Sequence, residues 1–182
     1  MIKYDMETNL KWEKIGEDTH FRAGWRKMIH RKYKLLNGKE AEYDLKNEGE
    51  SVNILALTPE NKVILVEVFR PGPEKVLKEL PAGMINTGEN PMDAAKRELL
   101  EETGYEGALE LVAQTIDDGY SNCVRNCFVA RNCKKTSEPE WEDDEICNII
   151  EMSIVDFRKH LQSGQLTDIE VGYLCLDYLK LL

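Results

Sequence analysis

Histidine is scarce in this chain: His20, His30 and His160 are the whole complement, and they are scattered. A histidine-ligated metal site or a Ser-His-Asp triad has little material to work with. The five cysteines (Cys123, Cys127, Cys133, Cys147, Cys175) include no CxxC pair, whereas a zinc site needs ligands paired at short spacing. Cys123 and Cys127 stand in an apolar stretch and read as buried free thiols. No apolar run approaches the roughly 20 residues that span a bilayer. The N-terminal MIKYDMETNLKWEK lacks the apolar centre of a signal peptide, so the expected compartment is the cytoplasm. Basic residues are in deficit, with 24 Lys and Arg against 34 Asp and Glu and a net charge of −10. That balance disfavours nucleic acid and anionic membrane as partners, since both are polyanions. It does not exclude a small anionic substrate, because a bound cation reverses the local sign.

What is present is ordinary globular material. The 182 residues are 42% hydrophobic and 32% charged, enough for a real core. Residues 21–34 read as a basic, partly alternating strand. Asn37-Gly38 marks a hairpin turn, and Lys39 to Lys46 the returning strand. SVNILALT and KVILVEVFR are strong strands separated by the turn PEN, and Lys75 to Leu80 reads as a strand edge before Pro81. Asn90 caps a helix with Pro91 at its first position, and Gly104 closes it. Further strands are expected near 109–116 and 123–131. Ser153 with Asp156 resembles a capping box for a helix ending at Gly164, and Thr167 with Glu170 opens a last helix to the C-terminus. Strands and helices mix without regular βαβ alternation. The expectation is an α/β (α+β) fold: a mixed sheet flanked by helices over residues 51–182, preceded by a β-rich segment over residues 1–50.

The stretch GMINTGENPMDAAKRELLEETGY, from Gly83 to Tyr105, raises a physical problem. On a helix from 91 to 103, Met92, Ala95 and Leu99 fall on one arc roughly 60° wide, which must face the core. Glu98, Glu101 and Glu102 occupy a neighbouring arc of about 100°, beside the apolar one and not opposite it. Side chains at i, i+3 and i+4 lie only about 5–6 Å apart at Cβ, so three carboxylates there repel unless a cation sits among them. A hard divalent ion such as Mg²⁺ prefers oxygen ligands of this kind. Glu/Arg strings also occur on solvated helix faces. The wider spacing decides between the two. Gly83, Glu89, Arg97-Glu98, Glu101-Glu102 and Gly104 form a long fixed pattern, expected by chance about once in 10⁵ chains of this composition.

That pattern resembles the Nudix box, the signature of the Nudix hydrolases, with every charged and glycine position present and Tyr105 where the box has an aliphatic residue. The resemblance implies a mixed β-sheet sandwiched between helices, with the box as loop–helix–loop. It implies divalent-metal-assisted water attack on the diphosphate of a nucleoside diphosphate linked to another group. Carried over by position, Glu98, Glu101 and Glu102 are the metal cluster, joined by the backbone carbonyl of Ala82. Arg97 and Glu89 pair to hold the loop against the helix, and Gly83 and Gly104 let the backbone turn tightly. Mg²⁺ is the implied ion, with Mn²⁺ as a possible substitute.

The flanks VILVEVFRPG and KELPAGMI resemble the ADP-ribose pyrophosphatase branch. In that branch the N-terminal segment exchanges strands in a homodimer that clamps adenine between aromatic rings of both chains. Trp25 and Tyr43 stand where such rings fall, and Arg70 stands where it reaches a phosphate. One position departs: Asp118, in DDGYSN, replaces an expected proline, and no proline occurs between Pro91 and Pro139. ADP-ribose, GDP-sugars, other nucleotide sugars and dinucleotides all stay open as substrates. The branch takes its general base from a loop glutamate after the box. TSEPEWEDDEICNII fits that place, with Glu142 as the base and Asp144 as an extra metal contact. Two other readings remain: a nucleotide-binding sensor without turnover, and a housecleaning nucleoside triphosphate pyrophosphatase.

Overall fold

The computed structural model describes residues 10–141 and 147–182. Two compact units form: the segment ending at Glu48 together with Asp117–Cys123, and Gly49–Ile116 together with Val124–Leu182.

The first unit is a three-stranded antiparallel sheet of β1 (Glu13–Ala23), β2 (Arg26–Lys34) and β3 (Glu40–Lys46). The single strand expected over 21–34 is broken at Gly24, whose φ of +64° reverses the chain so that Ala23 faces Arg26. A residue with a Cβ resists that left-handed conformation. The hairpin at Asn37-Gly38 forms as expected, with Gly38 at φ +80° and the Lys39 amide donating to the Asn37 side-chain oxygen at 3.0 Å. Residues 117–123 join this unit along the end of β3. The Lys46 amide donates to the Tyr120 carbonyl at 2.9 Å, and the Asn122 amide to the Lys46 carbonyl at 3.1 Å.

The second unit holds a seven-stranded sheet and three helices. Its strands are β4 (Glu50–Leu57), β5 (Lys62–Arg70), β6 (Lys75–Glu79), β7 (Ala82–Met84), β8 (Tyr105–Ile116), β9 (Val124–Lys135) and β10 (Asn148–Ser153). Its helices are α1 (Pro91–Thr103), α2 (Ile154–Ser163) and α3 (Ile169–Tyr178). The order is β10-β5-β4-β9-β8, with β6 on β5 and β7 on β4. β4 and β9 pair in parallel and the other pairs are antiparallel, so the sheet is mixed. Successive side chains of a strand point to opposite faces, and the central strands are apolar on both. Val52, Ile54, Ala56, Ile64, Phe128 and Ala130 pack with Ala94, Ala95 and Leu99 of α1. Leu55, Leu57, Val63, Leu65, Cys127 and Val129 pack with Phe157 and Leu161 of α2 and Val171, Cys175 and Leu176 of α3. This is the expected sandwich, and its two layers follow from the parity of the strand residues.

Helix ends follow local chemistry. Asn90 caps α1 by accepting from the Asp93 amide at 3.0 Å, and Ser153 caps α2 by accepting from the Asp156 amide at 3.1 Å. The last helix differs from expectation. It starts after Asp168 rather than Thr167, and Asp168 makes no side-chain cap because Asn53 (2.7 Å) and Arg125 (3.3 Å) take its carboxylate. Burial pushes the Asp168 carboxyl up to about 6, against the opposing pull of Arg125. The helix stops at Tyr178 instead of running to the end, because Lys180 turns the chain at φ +61° and the Leu181 amide bonds back to the Leu176 carbonyl. Among the described residues no helix is long and apolar enough to cross a membrane.

Candidate active site

Helix α1 and the loop before it are held together by one guanidinium. Arg97 Nε and Nη2 donate to the two oxygens of Glu89, each at 2.9 Å. Nη2 also donates to the Met84 carbonyl at 3.0 Å. Nη1 reaches Glu98 at 2.7 Å and Glu101 at 3.1 Å. A planar fork with five donors suits such a junction, which an ammonium could not fill. The Arg97 hydrogen bonds, helped by the Asn86 amide, lower the Glu89 carboxyl to about 2. Glu98 behaves in the opposite way: burial raises its carboxyl, and Arg97 only partly offsets this. Glu102, one residue on from Glu101, accepts from the Ala82 amide at 3.0 Å.

Gly83 is needed for a different reason from the tight turn expected of it. Its φ is not left-handed. A Cβ built on it would lie 2.0–2.2 Å from the Glu98 carboxylate, so the missing side chain is the space Glu98 occupies. Gly104 does turn the chain, at φ +74°, and a Cβ there would also meet the Ser137 carbonyl oxygen at 2.2 Å. Past Gly104 the chain returns to finish the helix end. The Thr136 amide donates to the Gly104 carbonyl (2.8 Å), the Glu140 amide to the Glu101 carbonyl (2.8 Å) and the Trp141 indole to the Glu102 carbonyl (2.9 Å). These bonds occupy carbonyls that a helix end leaves without intrahelical partners.

Arg70 also lies near the carboxylates. It donates to Glu79 from Nε at 2.7 Å and pairs with it through Nη2 at 2.5 Å. Arg70, Glu79, Glu102 and Cys147 line one small cavity. The sequence reading missed Glu79, although its signal was in the strand period: Leu77 and Glu79 share the inward face of β6.

Among the described residues no three His, Cys, Asp or Glu side chains converge as they would around an ion; Arg97 and the Ala82 amide engage the carboxylate oxygens instead. The donor set still fits a hard divalent cation, because every candidate ligand is an oxygen and Glu98 is buried without full compensation. Glu79 Oε1 adds to this: it is buried beside Glu102 in the shared cavity, with no hydrogen-bond partner among the described residues.

The structure thus brings Ala82, Gly83, Glu89, Arg97, Glu98, Glu101, Glu102 and Gly104 together around α1, with Arg70 close to Glu102. It does not bring Trp25 and Tyr43 together. Trp25 sits at the β1–β2 turn with the Arg26 guanidinium 4.5 Å from its ring centre. Tyr43 meets Trp12, Tyr33 and Tyr120 instead. Asp118 pairs with Lys46 at 2.6 Å. Glu142 and Asp144 lie outside the described residues.

The family model for the NUDIX domain matches residues 48–169. An ADP-ribose pyrophosphatase of Bacillus subtilis is 32% identical over 150 residues, covering 81% of this chain and 80% of its own. A methanol dehydrogenase activator of Bacillus methanolicus is 31% identical with the same coverage. An ADP-ribose pyrophosphatase of Saccharomyces cerevisiae is 32% identical over 144 residues, covering 69% of this chain and 62% of its own. A crystal structure of an ADP compounds hydrolase superposes with TM-score 0.74 at 18% identity, covering 94% of this chain and 97% of its own, which speaks to the fold alone.

Proposed function

The chain belongs to the Nudix family of hydrolases, which generally use divalent metal ions, and on that footing we propose that it hydrolyses ADP-ribose or a closely related nucleotide sugar. The products are a nucleoside monophosphate and a sugar phosphate. The observation that carries this reading is the complete carboxylate set on α1, locked in place by Arg97 beside Ala82. Relatives named as ADP-ribose pyrophosphatases support the substrate class.

In this reading Glu98, Glu101, Glu102 and the Ala82 carbonyl hold Mg²⁺, or Mn²⁺ in its place. The bound ion would polarise phosphoryl oxygens and offset charge on the diphosphate. Arg97 and Glu89 are not ligands. They fix the helix and its loop, so that the carboxylates keep one arrangement through turnover. Arg70, held by Glu79, offers its guanidinium to a phosphate oxygen. Water oxygen bonds to one phosphorus, the bridging P–O bond breaks, and the water proton passes to Glu142 as general base. Trp141, the residue before it, is anchored on the Glu102 carbonyl, which supports that role. Trp25 and Tyr43 contribute base stacking in a homodimer; a monomer by light scattering would remove any such pairing between chains.

The test is a panel of ADP-ribose, other nucleotide sugars, dinucleotides and nucleoside triphosphates with Mg²⁺ or Mn²⁺, with products identified by mass. Cleavage of ADP-ribose to AMP and ribose phosphate, abolished by excess chelator, is expected. Equal turnover with and without chelator overturns the reading. Glu142→Gln should lower kcat by roughly 10²–10⁴, the scale of general-base catalysis, with KM little changed. A near-normal kcat in that variant alongside loss in Glu140→Gln would move the base.

A further inference from the structure

Among the described residues, one buried side-chain oxygen has no hydrogen-bond partner: Oε1 of Glu79. Glu79 ends β6 and is 2% exposed. Arg70 holds only one side of its carboxylate. Nε donates to Oε2 at 2.7 Å, and Nη2 pairs with the same oxygen at 2.5 Å. A buried oxygen left unpaired bears the full penalty of losing water, so Oε1 calls for a donor from outside the chain.

The surroundings say which kind of donor. Glu79 lines a cavity with Val68, Arg70, Glu102 and Cys147, so its wall carries two carboxylates against one guanidinium. The cavity offers about 10 Å³ for the centre of a water molecule, the threshold for holding one water. Glu79, Glu102 and Arg70 supply the polar lining that a buried water needs. Glu102 also accepts from the Ala82 amide at 3.0 Å, three residues on from Glu79. One carboxylate thus has Arg70 on its first oxygen and, on its second, a water-sized space shared with a candidate ion ligand.

We propose that Glu79 holds the divalent ion indirectly: a water bound to that ion beside Glu102 donates to Glu79 Oε1, so that Glu79 is a positioning residue joining the ion to the Arg70 guanidinium. The inference rests on the reading that Glu98, Glu101, Glu102 and the Ala82 carbonyl bind the ion. A water on a divalent cation is a strengthened donor, and an acceptor behind it fixes its orientation. Filling the ion site therefore fixes Glu79, and Oε2 carries that order to Arg70. Glutamine has the same size and could still offer one oxygen to Arg70. It would then turn its NH₂ toward the water, donor against donor.

The test uses the whole protein and Mn²⁺ alone as probe, without substrate, with free Mn²⁺ read by electron paramagnetic resonance. Glu79→Gln should weaken Mn²⁺ by roughly 10- to 100-fold, the scale for losing a partner behind a metal ligand. Val68→Ile, which crowds the cavity and leaves every charge in place, should weaken it by roughly tenfold. Arg70→Lys keeps a cation beside Oε2 and leaves Oε1 free to accept, so its Mn²⁺ affinity should stay within about threefold of the parent. Melting without metal checks folding. A merely structural role would lower that melting temperature, whereas the expected deficit is a smaller rise on adding Mn²⁺. In hydrolysis the Glu79→Gln loss should shrink as Mn²⁺ is raised. Parent-like Mn²⁺ affinity in Glu79→Gln or in Val68→Ile overturns the proposal. An Arg70→Lys loss as large as that of Glu79→Gln also overturns it, since the ion pair and not Oε1 would then be responsible. If the parent binds no Mn²⁺, the functional reading fails and this link with it. If the parent binds Mn²⁺ and cleaves its substrate while Glu79→Gln binds Mn²⁺ equally, the link alone fails.

Discussion

Around α1, one guanidinium contacts Glu89, Glu98, Glu101 and the Met84 carbonyl at 2.7–3.1 Å. In the N-terminal unit, four rings meet at 5.7–6.1 Å, and three of the four are tyrosines. The first region is directional. Charge-assisted hydrogen bonds fix each partner's position, and moving one group disturbs the rest. The second is held by dispersion and ring quadrupoles, which fall off gently and tolerate small shifts. A reaction centre needs the first kind of construction, because electrostatic stabilisation depends on placement. A site that must only hold a flat ring can be built the second way.

That contrast can be broken by substitution. Within the two regions compared, the largest effect is expected from Glu102→Gln, which removes one charge from the carboxylate set while keeping its shape. Turnover should fall by about 10²–10³, the scale of losing one electrostatic contact to the transition state, with an unchanged melting curve. A normal rate would return α1 to the role of a solvated helix. Next is Gly83→Ala. The new methyl displaces the Glu98 carboxylate, which is the end of a flexible side chain, so stability should hold while kcat drops by on the order of 10²-fold, as for misplaced catalytic groups elsewhere. Gly104→Ala should do the reverse. Its strain falls on backbone, at φ +74° and against the Ser137 carbonyl, and should cost about 1–3 kcal/mol of stability. In the aromatic region Tyr43→Ala should raise KM by roughly tenfold, and Tyr43→Phe by less than about twofold. The smallest effect concerns acid. Glu89 ionises at about 2 in the folded protein against an ordinary 4.5, so its stabilisation is complete above 4.5 and is lost as pH falls toward 2. Glu89→Gln should therefore show a shallower loss of stability across that window, read by melting at fixed ionic strength.

The two regions also differ in how much of them could be read from sequence. Gly83, Glu89, Arg97, Glu98, Glu101, Glu102 and Gly104 lie within one turn and one helix, where a 3.6-residue period converts spacing into proximity. Strands with apolar residues on both faces announced the two-layer core in the same local way. The aromatic cluster draws on Trp12, Tyr33, Tyr43 and Tyr120, and no local period relates position 120 to position 43. Trp25 stands at the β1–β2 turn with Arg26 over its ring, a placement that no local period in the sequence announces. The break at Gly24 was legible as a glycine, but the flanking basic residues continued the strand pattern through it. The space that Gly83 leaves for the Glu98 carboxylate is a tertiary fact, with no local signal in the sequence.

The pairing of Lys46 with Asp117, 71 residues apart in the chain, has a consequence for how the protein is made. Synthesis runs at about 5–20 residues per second, so the N-terminal hairpins emerge roughly 4–14 s before the segment that completes their aromatic cluster. During that interval Trp12, Tyr33 and Tyr43 lack Tyr120, and Lys46 lacks both carboxylates. The nascent sheet is an unfinished edge in that time, open to a chaperone or to a neighbouring chain on the same message. A fragment ending at Glu48 would carry that incompleteness permanently, and the whole chain outgrows it once the β8–β9 turn has been translated.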